Sequence, residues 1–557
     1  MATSAPASPS PGEGSPTALN ATSHIIGLVH SSPTLDTLPA DVLGLIFKLL
    51  YDDWLVATHS QFLGAPRFKF DHERCQGEFL LGLSMTCRAL RAETMPWIFR
   101  EVYNWESSRG TAWPESLWPY FRIVHIRDHT VHNPRRLEIF PETIRSLSVM
   151  NSLFKVTLRL ESAIPADLIR ALSLAPSLLH LEIYQARFDG GSPSCVLPFP
   201  ALESLIISIA GFRRVPLQEN IDYVTQASNV DFLLRAVAPR LTELSISGDL
   251  IPSTFPSLDW RKIRRFAITE HAPTPYIPIP SLVANMPNLR HLDVLYTADV
   301  RRGMPTARGA FPFVHLGDDS GRFLSDSCPL LSSVTLGNVS SVDSIFTQLP
   351  TMLTSLHLRA PVDPYDTSNG FPREAYSPFN QHTLPTALRH MPHLRDLKEL
   401  CLDLHYFVTA PVIQHIAAVL PHLEILEFSL PRYIFRSDPP RFREQDRDPA
   451  LLTALGCFPH LLHLRITMNF LKHGFDLHHS QEVTARWFLS SHKTLQTVSF
   501  AVLQSLHHVG YNYIRWQRWD HEVFYATWPT PPPTRPPSPD YVIVEVDGVQ
   551  RIEPRYY

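Results

Sequence analysis

From about Arg145 onward one arrangement of apolar and polar positions recurs: Leu-x-x-Leu-x-Leu or a close variant. Copies begin at Leu178, Leu202, Leu241, Leu289, Leu331, Leu353, Leu397, Leu423, Leu461 and Leu495, with a weaker one at Ile263. On a strand, residues four and six of the unit turn to one side and residue one fills the turn leading in. Residues three, five and seven face outward. A strand this short is unstable alone, so the copies are expected to stack into a parallel sheet over a shared apolar interior. The stretches ahead of them, such as Asp167–Leu172, Phe232–Val237 and Val412–Leu420, carry helical spacing and predict helices on the outer side of that sheet. Distances between copies run from 22 to 44 residues, so the longer gaps hold degenerate repeats or insertions.

A different pattern occupies Leu35 to Val102. Pro39 suits a first helical turn, where its missing N–H costs nothing, and Asp41 places a negative charge near the positive end of the helix dipole. Val42, Ile46 and Leu49 then fall on one line, and Leu43, Phe47 and Leu50 on its neighbour. A short helix apolar over so wide an arc is expected to bury itself in its own domain and against another chain. A second block, Phe79–Leu90, aligns Leu83, Cys87 and Leu90 on one face and is followed by Met95–Val102.

At these residues the chain resembles the F-box family. It has the Leu38-Pro39 opening, Ile46-Phe47 in the first helix, Leu83-Ser84-Met85-Thr86-Cys87-Arg88-Ala89-Leu90, and a closing Trp97-Ile98-Phe99-Arg100-Glu101-Val102. A polar and aromatic insertion at 55–78 separates the two halves, which a compact F-box lacks. The repeats resemble a divergent leucine-rich repeat domain over roughly 140–510, as in F-box proteins of the fungal type. The Asn that such repeats often carry three residues after the last Leu occurs only as Asn469, so a regular asparagine ladder is not expected.

Together the resemblances imply an α/β chain: a small all-α bundle over 34–104, then an irregular, partly broken solenoid of parallel strands with outer helices. They imply a non-catalytic adaptor. Its F-box would dock the S-phase-kinase-associated adaptor of a cullin–RING ubiquitin ligase through Leu38, Pro39, Val42, Leu43, Ile46, Phe47, Leu83, Cys87 and Leu90. The repeats would hold a protein substrate for ubiquitin transfer. The outward strand positions on the concave face are the candidate contacts, among them Glu182, Tyr184, Glu243, Asp293, His357, Arg359, Glu427 and Arg465. Their mixed signs name no substrate. The alternative is a leucine-rich-repeat scaffold whose interrupted F-box recruits no ligase.

Composition narrows this further. A chain of 557 residues, 44% hydrophobic, exceeds one ordinary core and predicts several domains or a repeat array. Lys+Arg 49 against Asp+Glu 53 gives a net charge of −4, without the basic excess that holds a nucleic-acid backbone. The 51 prolines are spread along the chain and mark breaks between short elements. Six widely spaced cysteines form no C-x-x-C pair, which argues against a disulfide scaffold or a structural zinc site and fits a reducing compartment. No apolar run approaches 18 residues, and the first residues lack a basic and apolar leader, so cytosol or nucleus is the expected location.

Residues 1–33 read as a disordered Ser/Pro/Ala tail whose Ser-Pro pairs are linker composition or proline-directed phosphorylation sites. At the other end, the aromatic-rich 511–528 either caps the solenoid or docks a partner. Residues 529–540 form a Pro-rich linker, and 541–557, with Asp547-Gly548 between β-prone runs, a terminal hairpin.

No nucleophile elbow, phosphate loop, H-E-x-x-H or dinucleotide fingerprint is present. The 27 histidines match no standard metal box, and His180, His291, His357 and His463 fall inside repeats, on the exposed strand face or in loops. Neither cofactor nor metal is expected. Asp318-Asp319 reads as a turn, and Arg261–Arg265 and Tyr513–Trp519 as solvated basic faces.

Overall fold

The structure is a computed structural model. It describes residues 42–43, 45, 84–85, 88–103, 113–127, 141–160, 163–184, 188, 199–208, 223–270, 272–273, 276–296, 313–314, 323–360, 379, 381–404, 409–429, 449–466, 476–503, 511–519, 522–527, 541–546 and 549–554. It divides into two compact units, Met1–Glu101 and Val102–Tyr557.

In the first unit Val42, Leu43 and Leu45 are helical, and a further helix spans Arg88–Ile98. Pro96 lies inside that helix and removes one backbone donor from its last turn. The fully buried Thr94 turns its hydroxyl back onto the Leu90 carbonyl at 2.8 Å, so its own polar atom is satisfied inside the helix. Arg91 Nε donates to the Ser84 carbonyl at 2.9 Å and ties the residues ahead of the helix to it.

The second unit is organised by one sheet whose 16 strands follow each other in chain order, β1 to β16. Their ranges are β1 Glu101–Tyr103, β2 Ile123–Arg127, β3 Lys155–Arg159, β4 His180–Tyr184, β5 Ser204–Ser208, β6 Glu243–Ser247, β7 Arg265–Glu270 and β8 His291–Tyr296. Then come β9 Ser333–Gly337, β10 Ser355–Arg359, β11 Glu399–Asp403, β12 Ile425–Ser429, β13 His463–Ile466, β14 Thr497–Leu503, β15 Tyr511–Trp519 and β16 Glu522–Thr527. From β2 to β14 every neighbouring pair is parallel.

One hydrogen-bond device sets the register. The carbonyl of the second residue in each unit accepts from two successive N–H groups of the next unit. Glu203 O, for instance, takes Thr242 N at 2.8 Å and Glu243 N at 3.1 Å. Arg264, Arg290, Ser332, Thr354, Lys398, Glu424 and Leu462 repeat the arrangement, so strand begins beside strand whatever length of chain lies between. Thr354 and Ser332 add side-chain hydroxyl bonds to the carbonyl of the preceding step.

The interior is what the alternation demands. Leu356 and Leu358 of β10, Leu400 and Leu402 of β11, and Leu426 of β12 are wholly buried, as are Leu353, Leu397 and Leu423 in the turns ahead of them. The prolines act at those turns. In Met286-Pro287-Asn288-Leu289, Cys328-Pro329-Leu330-Leu331 and Met391-Pro392-His393-Leu394 the first carbonyl accepts from the fourth N–H at 3.0–3.1 Å, with Pro at the corner that suits its fixed φ. Met286, Cys328 and Met391 are themselves buried, so each turn is pinned from below. Helices such as Ala166–Leu174 and Ala410–Val419 bury one face, Leu168, Ile169 and Leu172 in the first and Val412, Ile413 and Ile416 in the second.

One expectation changes and two are sharpened. The repeats begin ahead of residue 140, with Phe121-Arg122-Ile123-Val124-His125-Ile126, and a further unit, Leu153-Phe154-Lys155-Val156-Thr157-Leu158, precedes the copy at Leu178; Phe121, Val124, Ile126, Leu153, Val156 and Leu158 are buried. Phe and Val in place of Leu hid them, because the core position requires bulk and apolarity rather than one residue type. The Ile263 copy is a complete strand, β7. Of the two readings of the long gaps, insertion is the one that fits the three longest, since β5 pairs directly with β6, β8 with β9 and β10 with β11.

Buried polar side chains hold residues of those connections. Gln226 exchanges two hydrogen bonds with the backbone of Phe188, and Asp343 accepts from Phe313 N at 2.6 Å and Ile345 N at 2.8 Å. Asn338, in the left-handed region (φ 59°), donates to Tyr296 O at 3.1 Å. Asn469 lies outside the described residues.

Within the aromatic segment read as a cap or docking patch, β15 runs antiparallel to β14 and β16 antiparallel to β15. Near the carboxy terminus β17 Tyr541–Val546 and β18 Val549–Pro554 pair antiparallel as a separate two-stranded sheet. Among the described residues no helix is long and apolar enough to cross a membrane. The tail at 1–33, the insertion at 55–78 and the linker at 529–540 lie outside the described residues.

Candidate protein-binding face

Because register is kept from strand to strand, outward residues line up in rows across the open face of the sheet. On β10 to β13 the middle row reads His357, Cys401, Glu427, Arg465, and the rows beside it bring Ser355 against Glu399 and Arg359 against Asp403. These side chains form one network. Arg359 Nη1 lies 2.8 Å from Glu427 Oε1 and 3.0 Å from Asp403 Oδ1. Arg465 Nη1 reaches Glu427 Oε2 at 3.2 Å and Glu399 Oε1 at 3.5 Å. Ser355 Oγ donates to Glu399 Oε2 at 3.0 Å, and the Ala360 N–H donates to Asp403 Oδ2 at 2.9 Å. Glu427, only 3% exposed, is the hub, gripped from both sides by guanidinium groups and accepting from the Cys401 thiol at 3.6 Å.

The electrostatics follow from this arrangement. Burial opposes the charge on Arg359, but Asp403 and Glu427 outweigh it and hold its pKa above the ordinary value. Burial raises the pKa of Asp403, with Arg359 and the Ala360 N–H pulling the other way. Glu399 is lowered, first by the neighbouring His357 imidazole, against the effect of burial. Burial pushes the Cys401 thiol well up, and Glu427 adds to that. Three carboxylates facing two guanidinium groups leave a small negative excess on a rigid polar surface.

Of the eight outward residues expected to meet a substrate, His357, Arg359, Glu427 and Arg465 come together here. Glu182 sits on β4, paired with Lys155 at 2.7 Å and accepting from Thr157 Oγ1 at 3.0 Å. Beside it Arg159 lies over the Tyr184 ring at 5.0 Å, and the Tyr184 pKa is raised by burial and by Glu182. Glu243 on β6 accepts from Ser204 Oγ at 3.1 Å and faces Arg265 at 3.5 Å. Asp293 is half-buried on β8 between Ala267 and Thr335.

Sequence reading passed over Glu399, Cys401 and Asp403, although they hold outward positions of the copy beginning at Leu397. It also missed Glu270, whose backbone is left-handed (φ 67°) at the end of β7 and whose carboxylate accepts from Ser208 and Ser247 on β5 and β6.

Of the nine residues expected to face the ligase adaptor, Leu38, Pro39, Ile46, Phe47, Leu83 and Cys87 lie outside the described residues. Leu43 and Leu90 are buried, and Val42 is 39% exposed. Leu45 and Met85, at 58% and 71%, are the other large apolar residues exposed there among the described ones.

The repeated unit, its strand-by-strand register and the helices between strands define a leucine-rich-repeat-type solenoid. No family model and no curated protein matches the chain. Solved structures similar to it include the TLR13–ssRNA13 complex, at TM-score 0.29 and 13% identity, over 63% of this chain and 43% of that one. Another is the Toll–Spatzle complex of Drosophila, at TM-score 0.30 and 14% identity, over 70% and 45%. The chain spans less than half the length of either. At such scores they carry no argument, and the architecture rests on the strands themselves.

Proposed function

We propose that the chain is the substrate-recognition adaptor of a cullin–RING ubiquitin ligase. Its amino-terminal block engages the S-phase-kinase-associated adaptor, and the open face of β10–β13 engages a protein substrate. The observation that carries this reading is the order of parts: the F-box-like residues Leu38 to Val102 stand directly ahead of a solenoid with a preorganised polar face. The chain has no chemistry of its own in this role, and ubiquitin transfer belongs to its partners. Each apolar side chain covered by the ligase adaptor contributes roughly 1.5–3 kcal/mol before the costs of association.

Co-purification of the S-phase-kinase-associated adaptor with the full chain tests the proposal. Leu38→Ala combined with Pro39→Ala should abolish it while the far-UV circular dichroism of the repeats is unchanged. Binding that survives the double substitution removes the assigned docking residues. A wild-type chain that never captures the adaptor supports the alternative, a scaffold without a ligase.

A further inference from the structure

We propose that His357, Glu399 and Cys401 form a binding site for one divalent transition-metal ion of the zinc type on the open face of the sheet. The site does not depend on whether the amino-terminal block recruits a ligase. β10 and β11 are parallel and in register, which sets His357 directly opposite Cys401; Glu399, two residues before Cys401, shares its face. The three donor atoms, an imidazole nitrogen, a carboxylate oxygen and a thiol sulfur, all lie within 4.8 Å of one another. His357 Nε2 is 3.7 Å from Glu399 Oε1, and Cys401 Sγ is 3.8 Å from the same oxygen. Bonds of about 2.0–2.3 Å to a tetrahedral zinc place neighbouring donors about 3.3–3.6 Å apart, so the two separations from Glu399 Oε1 need close by only a few tenths of an ångström, and the His357 and Cys401 donors, within 4.8 Å, draw together around the ion.

The surroundings suit an ion. Ser355 Oγ stands 3.0 Å from both His357 Nε2 and Glu399 Oε2; on binding it leaves the imidazole and keeps the carboxylate, orienting it. His357 and Glu399 are about a quarter exposed, leaving the fourth position on the solvent side for water. Two guanidinium groups border this pocket: Arg465, whose Nη1 is 3.5 Å from Glu399 Oε1 and which retains Glu427 if it yields, and Arg359, which is held by Asp403 and Glu427.

Charge supplies the second argument. Glu399, Asp403 and Glu427 against Arg359 and Arg465 leave one negative charge with the thiol protonated. Entry of a divalent ion with release of the Cys401 proton to water brings the cluster to neutrality. The step is ligand exchange, with no change of oxidation state. Nitrogen, oxygen and sulfur donors together suit zinc and cobalt and disfavour magnesium or calcium.

The test titrates the chelator-stripped full chain with cobalt(II) and then zinc. One equivalent of cobalt should produce tetrahedral d–d bands and thiolate-to-cobalt charge-transfer absorption, both erased by zinc. Cys401→Ser should lose the charge-transfer band, and His357→Gln, at a partly exposed position, should weaken cobalt at least tenfold. Cys457→Ser, at an exposed cysteine elsewhere, should change nothing. A wild-type chain without the thiolate band overturns the proposal whatever the variants do, and so does a band that persists in Cys401→Ser.

Discussion

Glu427→Gln is expected to lower the free energy of unfolding by about 3 kcal/mol, the lower end of what breaking a buried ion pair costs. The substitution preserves shape and removes only the charge. It leaves Arg359 with Asp403 alone and Arg465 with the longer contact to Glu399. Glu427 is nearly inaccessible, whereas the two arginine side chains are 29% and 19% exposed, so water recovers part of the loss and the upper end of the range is not reached. The midpoint of guanidinium denaturation measures it. Lys398→Ala, which breaks the solvent-facing pair with Glu424, serves as the contrast and should leave that midpoint where it was. Equal effects from the two substitutions would mean that the β10–β13 network is a surface ornament.

Trp260→Ala should cost more, about 3–5 kcal/mol, because it opens a large cavity and takes from the Phe255 carbonyl one of its two donors, leaving only the Leu258 N–H. Trp260 is fully buried in the turn ahead of β7. Its indole nitrogen donates to Phe255 O at 2.9 Å, and its ring lies 4.6 Å from that of Phe255, which stacks in turn on Phe266 of β7 at 5.5 Å. Trp260→Phe keeps most of the bulk and should cost less, the hydrogen bond accounting for about 1 kcal/mol of it. Each repeat rests chiefly on its neighbours, so faster amide exchange should concentrate in β6 to β8 and leave β12 to β14 protected. A uniform increase along the sheet would show that the repeats unfold as one block.

The units beginning at Leu353, Leu397 and Leu423 are strands with their first, fourth and sixth residues in the core, as the alternation required. The Phe121 and Leu153 units obey the same rule with other apolar residues and were invisible to a pattern written in Leu. Four substrate-facing candidates proved to be neighbours, yet nothing in the chain announced that Arg359 would reach past Asp403 to Glu427. Nor did a search for local metal boxes find His357 and Cys401, which lie on separate strands with a long connection between them.

By itself, then, the order of residues determined the repeating unit, the inward and outward positions of each strand, and the helices between them. These are consequences of local geometry: a strand alternates every two residues, and an apolar row must be covered. Tertiary structure alone decided which outward residues meet. The carbonyl-to-paired-N–H steps start each strand beside the last however long the insertion, and so bring His357, Glu399, Cys401, Glu427 and Arg465 into one charged cluster that no spacing along the chain records.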